Sequence, residues 1–361
     1  MVTGRIVALC LAVASMMPMQ AAPVVQWVKS VHDFGVFNEA DGKQSCEMLL
    51  TNAGDEPLFI TRVQPTCGCT AGEYPRAAIA PGDTASVTLT YNPANRPGEF
   101  NKDVYVYTNT MPTRSVVTIR GNVIPTASTL DKHYPVGVGS LKLHRTIVPL
   151  GEVRRTSFRL GYVRGYNASQ DTIVVSATSG ERALQADVLP DTIAPAGTVT
   201  ITMRLDGLDA PLWGLNVVPV KVKQQALHGG PVHECDLEAT GIVIDDFKRL
   251  SEEQKAHPPV LAVDDRVDMG EIAAGAKATV RLTVRNTGKS PLEIRRLWSA
   301  DPALSFKVGS ERVNPGKQGG VDVTVDAALI EGNVINTEFT LMTSDPEHQL
   351  TTIRVVGTIN R

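Results

Sequence analysis

Cys67 and Cys69 flank a single glycine, Gly68, and Cys46 stands 21 residues before Cys67. Residues two apart on extended backbone project to one side, and Gly68 lets the chain curl. Two thiolates there could converge on a soft ion such as Cu(I). Two thiolates suffice for Cu(I), whereas zinc usually takes four ligands, and no histidine or methionine lies close in sequence to complete such a set. Cys46 becomes a third ligand if its strand passes under the loop. The favoured reading is a disulfide from Cys46 to Cys67 or Cys69, closing a loop of roughly 20 residues and contributing about 3 kcal/mol. A bond between Cys67 and Cys69 themselves, a redox arrangement, is expected to be strained and easily reduced, because extended backbone holds their Cα atoms near the upper limit for bridging. Cys46, Cys67 and Cys69 are therefore the disulfide candidates, and Cys67 and Cys69, with Cys46, the metal candidates.

Elsewhere the sequence is sparse in chemistry. His228, His233 and Cys235 surround Gly229-Gly230, but histidines beside a turn are usually solvated and a cysteine in an alternating strand is usually a small core residue. Phosphate loops, Gly-x-Ser-x-Gly, His-Glu-x-x-His and dinucleotide-binding glycines are lacking from the sequence. The carboxylate pairs Asp245-Asp246 and Asp264-Asp265 read as solvated loop or linker charge. No catalytic residue and no cofactor is expected. Asp83-Thr84-Ala85, Asp171-Thr172-Ile173 and Asp191-Thr192-Ile193 resemble a short bacterial O-glycosylation acceptor pattern, although an aspartate at a turn before a strand threonine is ordinary β sequence.

The elements that must position these residues are written twice. Asp33, Gly35, Asn52, Gly54, Pro57, Leu58, Pro81, Gly82, Gly98 and Gly121 recur as Asp268, Gly270, Asn286, Gly288, Pro291, Leu292, Pro315, Gly316, Gly332 and Gly357, at offsets of 234 to 236. A looser third version lies between them, with Gly151, Asn167-Ala168-Ser169, Ala194-Pro195 and Gly197, then Gly214 and Gly241. One supersecondary plan used repeatedly is the simplest reading. With 30 glycines, 23 prolines and 5% aromatics in 361 residues, short strands joined by tight turns are favoured over long helices. The expected fold is all-β, three tandem immunoglobulin-like β-sandwich domains after a signal peptide. The boundaries are a leader at 1–22, domains at 23–125, 133–244 and 259–361, and a short helical linker at 245–258 with Asp246 as its N-cap. Cys46, Met48 and Leu50 should share the inward face of one strand, and Asn52 and Gly54 should end it, glycine supplying positive φ. Ala80-Pro81-Gly82 reads as a type II turn. Gly229-Gly230 marks a hairpin.

Residues 1–22 hold Arg5, an apolar run over 6–17 and small residues at Ala21 and Ala22, the pattern of a secretory signal peptide. The run is too short for a bilayer span and no later stretch approaches one, so no transmembrane anchor is expected. A net charge of -3, from 35 basic and 38 acidic residues without blocks, gives no footprint for nucleic acid.

Thr51 to Leu58, reading Thr-Asn-Ala-Gly-Asp-Glu-Pro-Leu, followed by Pro65-Thr66-Cys67-Gly68-Cys69-Thr70, resembles a bacterial family of exported immunoglobulin-like domains of unknown function with a Cys-Gly-Cys-Thr signature. The Asn-x-Gly, Pro-Leu and Pro-Gly frame is also similar to the abnormal-spindle, hydin and major-sperm-protein type of sandwich. The resemblance is close in the first repeat, extends to the frame alone in the third, and implies no enzymatic activity. The chain is accordingly read as a non-enzymatic exported scaffold or protein-binding module of the periplasm or cell surface, whose partner is an unknown protein or cell-envelope component. The alternatives are a Cu(I) carrier or redox protein using Cys67 and Cys69, and a carbohydrate binder. For the last, Trp27, Trp213 and Trp298 would have to form an exposed platform rather than core.

Overall fold

A computed structural model describes residues 21–360. The proposed leader at 1–22 lies outside the described residues save for its last two, Ala21 and Ala22. Strand accounts for 58% of the chain and helix for 6%, so the all-β expectation is met. Contacts divide the chain into two units, one ending at Lys132 and one starting at His133.

The first unit is built from β1 (Val25–Trp27), β2 (Val31–Asn38), β3 (Gln44–Asn52), β4 (Ile60–Pro65), β5 (Thr70–Glu73), β6 (Thr84–Tyr91), β7 (Gly98–Thr108) and β8 (Arg114–Ile124). They form two sheets in the orders β1-β3-β6-β5 and β2-β8-β7-β4. Period-2 alternation turns Cys46, Met48 and Leu50 of β3, and Val87, Leu89 and Tyr91 of β6, inward to meet Val104, Val106, Val117 and Ile119 of the other sheet. The opening segment changes sheet: β1 lies antiparallel to β3, and β2 runs parallel to β8.

The second unit repeats the plan with two separate hydrophobic clusters, one drawn from 138–243 and one from 261–359. Around the first lie a sheet in which Phe158–Asn167 is flanked by Leu141–Leu143 and Thr198–Asp206, and another holding Ile147–Arg154, His233–Ile244 and Gly214–Ala226. Gly214–Ala226 and His233–Ile244 pair antiparallel about the Gly229-Gly230 turn. Around the second lie Lys277–Asn286 paired with Gln318–Asp326, and Val334–Thr343 with Leu350–Asn360.

The repeated residues do repeated work, though not always the work their types suggest. Asp33 Oδ1 accepts from Gly35 N at 2.8 Å and Asp268 Oδ1 from Gly270 N at 2.9 Å. Both glycines have φ near the left-handed region, +66° and +64°, and each sits where the parallel pairing slips register. Asp-x-Gly is therefore a β-bulge that bends the opening strand. Asn52, Asn167 and Asn286 are buried at the end of equivalent strands. Asn52 Nδ2 donates to Glu56 O at 2.8 Å and Ile79 O at 3.0 Å, while its Oδ1 accepts from Gly54 N at 3.1 Å. Asn167 and Asn286 repeat this, joining the residue four ahead to a strand 26 or 27 residues on. Each asparagine is a staple between three segments rather than only a turn former. Gly54 carries no positive φ; a Cβ there would meet Ala22 O and Val24 N.

The Pro-Gly turns are type II, with Asp83 N donating to Ala80 O and Lys317 N to Asn314 O, both at 3.0 Å, and Gly82 and Gly316 at φ +80° and +71°. In the middle repeat the equivalent bond runs from Gly197 N to Ala194 O, so Ala196, not Gly197, occupies the left-handed position, at φ +58°. Ala196→Gly should raise the unfolding free energy of this region by about 0.5–1 kcal/mol, because it relieves a left-handed alanine. A lower stability in urea denaturation of the variant would contradict this.

The linker differs from its expected form. A 3-10 turn at Phe247–Arg249 breaks at Leu250, and a separate helix Glu252–Ala256 begins from a new cap. Ser251 Oγ accepts from Gln254 N at 3.2 Å, and Gln254 Oε1 accepts from Ser251 N at 2.9 Å. That reciprocal capping box starts the second piece, while Asp246 stands at the N-cap position of the first, where the sequence placed it, its carboxylate taking the Thr156 hydroxyl.

Candidate functional site

Between β4 and β5 the chain turns through Thr66, Cys67, Gly68 and Cys69, pinned at one end by Thr66 N and Oγ1, which both donate to Asp103 O, and at the other by Asn92 N, which donates to Cys69 O. Cys67 and Cys69 are joined by a disulfide with Cα atoms 5.2 Å apart. The turn at Gly68 brings them well inside the ~4.4–6.8 Å that bridges normally span, so the strain expected from extended backbone is removed by the curl. Gly68 is exposed, Cys67 half-buried, and Cys69 buried at 5% exposure. The Thr70 hydroxyl lies 3.6 Å from Cys67 Sγ and 3.8 Å from Cys69 Sγ. Since neither bridged sulfur carries a proton, the hydroxyl is the donor. The loop borders an open depression of 350 Å³ lined also by Tyr91, Arg96, Glu99, Phe100 and Lys102. Its floor is rigid, with Tyr91 and Phe100 stacked at 3.9 Å.

Cys46 does not join this pair, which corrects the favoured pairing. It is a free, buried thiol, and burial pushes its pKa up. Register gives the reason. Cys46 lies opposite Leu89 of β6, whereas β5 begins with Thr70 opposite Tyr91 on the far side of β6. Cys46 and Cys69 are thus two strand spacings and three residues apart, about 14 Å by strand geometry, twice the reach of a disulfide or a shared ion. The bridge that does form closes over one residue, so by chain entropy it contributes only about 1.5 kcal/mol. Both strands it joins are already held by their neighbours, β4 by β7 and β5 by β6.

His233 is exposed, and Cys235 lies half-buried opposite Val222 with burial the main cause of its raised pKa. Among the described residues no group of three or more His, Cys, Asp or Glu is placed to hold a metal, and no helix is long and apolar enough to cross a membrane. Trp27 packs on the core and donates to Ser115 Oγ at 3.0 Å. Trp213 and Trp298 meet at the joint of the two clusters of the second unit, but not as an open platform. The guanidinium groups of Arg155 and Arg295 lie 4.8 and 4.5 Å over the Trp213 ring, Arg296 donates to Trp213 O and Leu215 O, and Trp298 closes on Gly214. Asp245 locks the joint, 3.1 Å from Arg295 and 3.0 Å from Gln349.

A feature of the middle repeat escaped the sequence reading. Counting back nine, seven and five residues from the stapling asparagine gives the outer face of the equivalent strand: Lys43, Ser45 and Glu47 in the first repeat, Lys277, Thr279 and Arg281 in the third, and Phe158, Leu160 and Tyr162 in the second. All nine are exposed, the apolar three at 48%, 44% and 51%. Their strand is covered on one side by Thr198–Asp206 over its whole length, while on the other Leu141–Leu143 reaches only 165–167. Arg164 O accepts from His144 N on that side. By alternation the backbone groups of Leu160 and Tyr162 point the same way, past the end of the short neighbour. An apolar stripe thus borders a sheet edge. The asparagine register would have revealed it, had the repeats been aligned on their faces as well as on their turns.

Residues 25–123 match a family described as a protein of unknown function (DUF1573). Residues 259–358 match the HYDIN/CFA65/VesB-like, Ig-like domain, which accords with the paired sheets found there. Comparison with curated proteins gives no match. Similar solved structures include a protein of unknown function from Porphyromonas gingivalis W83, 17% identical, covering 61% of this chain and 100% of that one at a TM-score of 0.48. Others are the ASH/PapD-like domain 7 of human CEP192, at 8% identity, 30% and 88% coverage and TM-score 0.26, and the secreted serine protease VesC from Vibrio cholerae, at 11%, 53% and 48% coverage and TM-score 0.27.

Proposed function

We infer that the chain is an exported, non-enzymatic binding scaffold of three serial immunoglobulin-like sandwiches, at 23–125, 133–244 and 259–361, and that its middle domain takes an extended polypeptide at the edge beside Phe158, Leu160 and Tyr162. The leader-like residues 1–22 support export to the periplasm or cell surface, and the Cys-Gly-Cys-Thr run at 67–70 supports placing the first domain among exported modules of that signature. The apolar stripe carries the binding reading. Large apolar side chains standing together on a surface mark a contact site more often than chance, and here two sister domains show that the fold itself accepts charged or hydroxylated residues at the same positions. A partner strand would satisfy the free backbone groups and lay alternate apolar side chains over the stripe.

The test grafts the third repeat onto the second: Phe158→Lys, Leu160→Thr and Tyr162→Arg together. Stability should change by no more than about 1 kcal/mol, since the positions are exposed. A photocrosslinker at position 160 should form adducts with an extended polypeptide in the native envelope, one at position 279 should not, and the Phe158→Lys and Tyr162→Arg parts of the graft, made around the crosslinker, should remove the contact. Equal crosslinking at both positions, or adducts that survive the graft, would reject the assignment.

A further inference from the structure

The Cys67–Cys69 bridge has the geometry of an exchange site rather than of a structural clamp. It spans one residue, and the strands it ties are already paired. Its two cysteines are unlike: both line the depression, but Cys67 is half-buried and Cys69 buried at 5% exposure. The Thr70 hydroxyl, within reach of both, donates to sulfur, and the depression is lined by Arg96 and Lys102 with Glu99. A donor and a surplus of positive charge beside a disulfide stabilise the thiolate released when it opens, and a stabilised thiolate leaves faster.

We propose that this loop is a thiol–disulfide exchange site that accepts electrons from a dithiol of another polypeptide. The partner's thiolate attacks Cys67 Sγ, the accessible sulfur. The Cys67–Cys69 bond breaks, its electron pair going to Cys69 Sγ, which leaves as a thiolate held by the Thr70 hydroxyl and takes a proton from water. The partner's second thiol, deprotonated by solvent, attacks the partner's own sulfur in the mixed disulfide and releases Cys67 as a thiolate, which is then protonated. The partner has lost two electrons and two protons and gained a disulfide, and Cys67 and Cys69 are both thiols. Exchange with a disulfide runs the same steps backwards and restores the bridge. Cys46, about 14 Å from Cys69 by strand spacing, takes no part.

The experiment uses the whole mature chain with Cys235→Ser, which removes the half-buried thiol of the second unit. Equilibration in glutathione redox buffers, acid quench, alkylation and peptide mass mapping report the state of each cysteine. The bridge should open and close reversibly while circular dichroism and the melting temperature show the fold retained. With oxidised glutathione, Cys69→Ser should capture glutathione at Cys67 about tenfold faster than Cys67→Ser captures it at Cys69, because burial shields the second sulfur. Thr70→Val should slow reduction of the intact bridge several-fold without changing stability in step. A bridge that opens only when the domain unfolds, or equal capture at the two positions, would overturn the proposal. Should either serine variant fail to fold, the reversible titration of the intact bridge decides alone.

Discussion

Replacing Asn52 by alanine should lower the stability of the first unit by about 3 kcal/mol. The side chain makes three hydrogen bonds from a fully buried position, two donated to Glu56 O and Ile79 O and one accepted from Gly54 N. Each buried bond is worth about 1 kcal/mol net, and groups left without partners cost more than the mean. Against the 5–15 kcal/mol of a typical domain this is a large share. Hydrogen exchange localised to β4, β6 and β7 reads the loss within the first unit of the intact chain. A change below about 1 kcal/mol would show that the staple is dispensable.

Asn52→Asp sharpens the same argument, because it keeps the shape and removes both donors. The carboxylate would face two carbonyl oxygens without water, so its folded pKa should rise above the unfolded value of about 3.9. The sign follows. For an acid whose folded pKa is raised, the protonated form is favoured by folding, so the variant is at its most stable below the unfolded pKa. It should lose about 1.4 kcal/mol per pH unit as pH climbs from there to the folded pKa, and be level above it. The aspartate variant should therefore recover part of its stability near pH 4 relative to pH 7, measured as the difference from wild type, whereas the alanine variant should show no such gain.

How much of this was legible in the sequence depends on what sets each feature. Apolar alternation at Cys46, Met48 and Leu50, and Pro81-Gly82 as a type II turn, are local and were read correctly. The pairing of Cys67 with Cys69 was not, since it turns on which side of β6 each flanking strand lies. Cysteine counting carries no such register. The stripe at Phe158, Leu160 and Tyr162 was not read as surface, because alternation says that two faces differ without saying which is wet when both carry apolar residues. The linker was read as helical from Asp246, where its first short turn does begin; the break at Leu250 and the restart from the Ser251 and Gln254 cap were not read.

The glycines of Asn-x-Gly show the difference between a right residue and a right reason, and they yield the second large effect. Gly288→Ala should cost about 3 kcal/mol or more, although no left-handed backbone is involved. A Cβ there would stand 2.4 Å from Pro258 O and from Val260 N and 2.7 Å from Pro259 C. All three are backbone atoms, so no side-chain rotation relieves the overlap, and the segment leading into Leu261–Ala262 must retreat. Retreat loosens the bonds from Thr287 N to Val260 O at 2.9 Å and from Lys289 N to Pro258 O at 3.0 Å, adding lost hydrogen bonds to the overpacking. Gly316→Ala is the control. Its φ is +71° but the space beside it is open, so it should cost only the left-handed penalty of about 1–2 kcal/mol. The first repeat makes the same approach at Gly54, against Ala22 O and Val24 N, while the second carries Ser169, whose hydroxyl donates to Asn167 Oδ1 at 2.8 Å. If hydrogen exchange across Lys277–Asn286 finds Gly288→Ala no more damaging than Gly316→Ala, the close passage of the opening strand is not what selects glycine at this position.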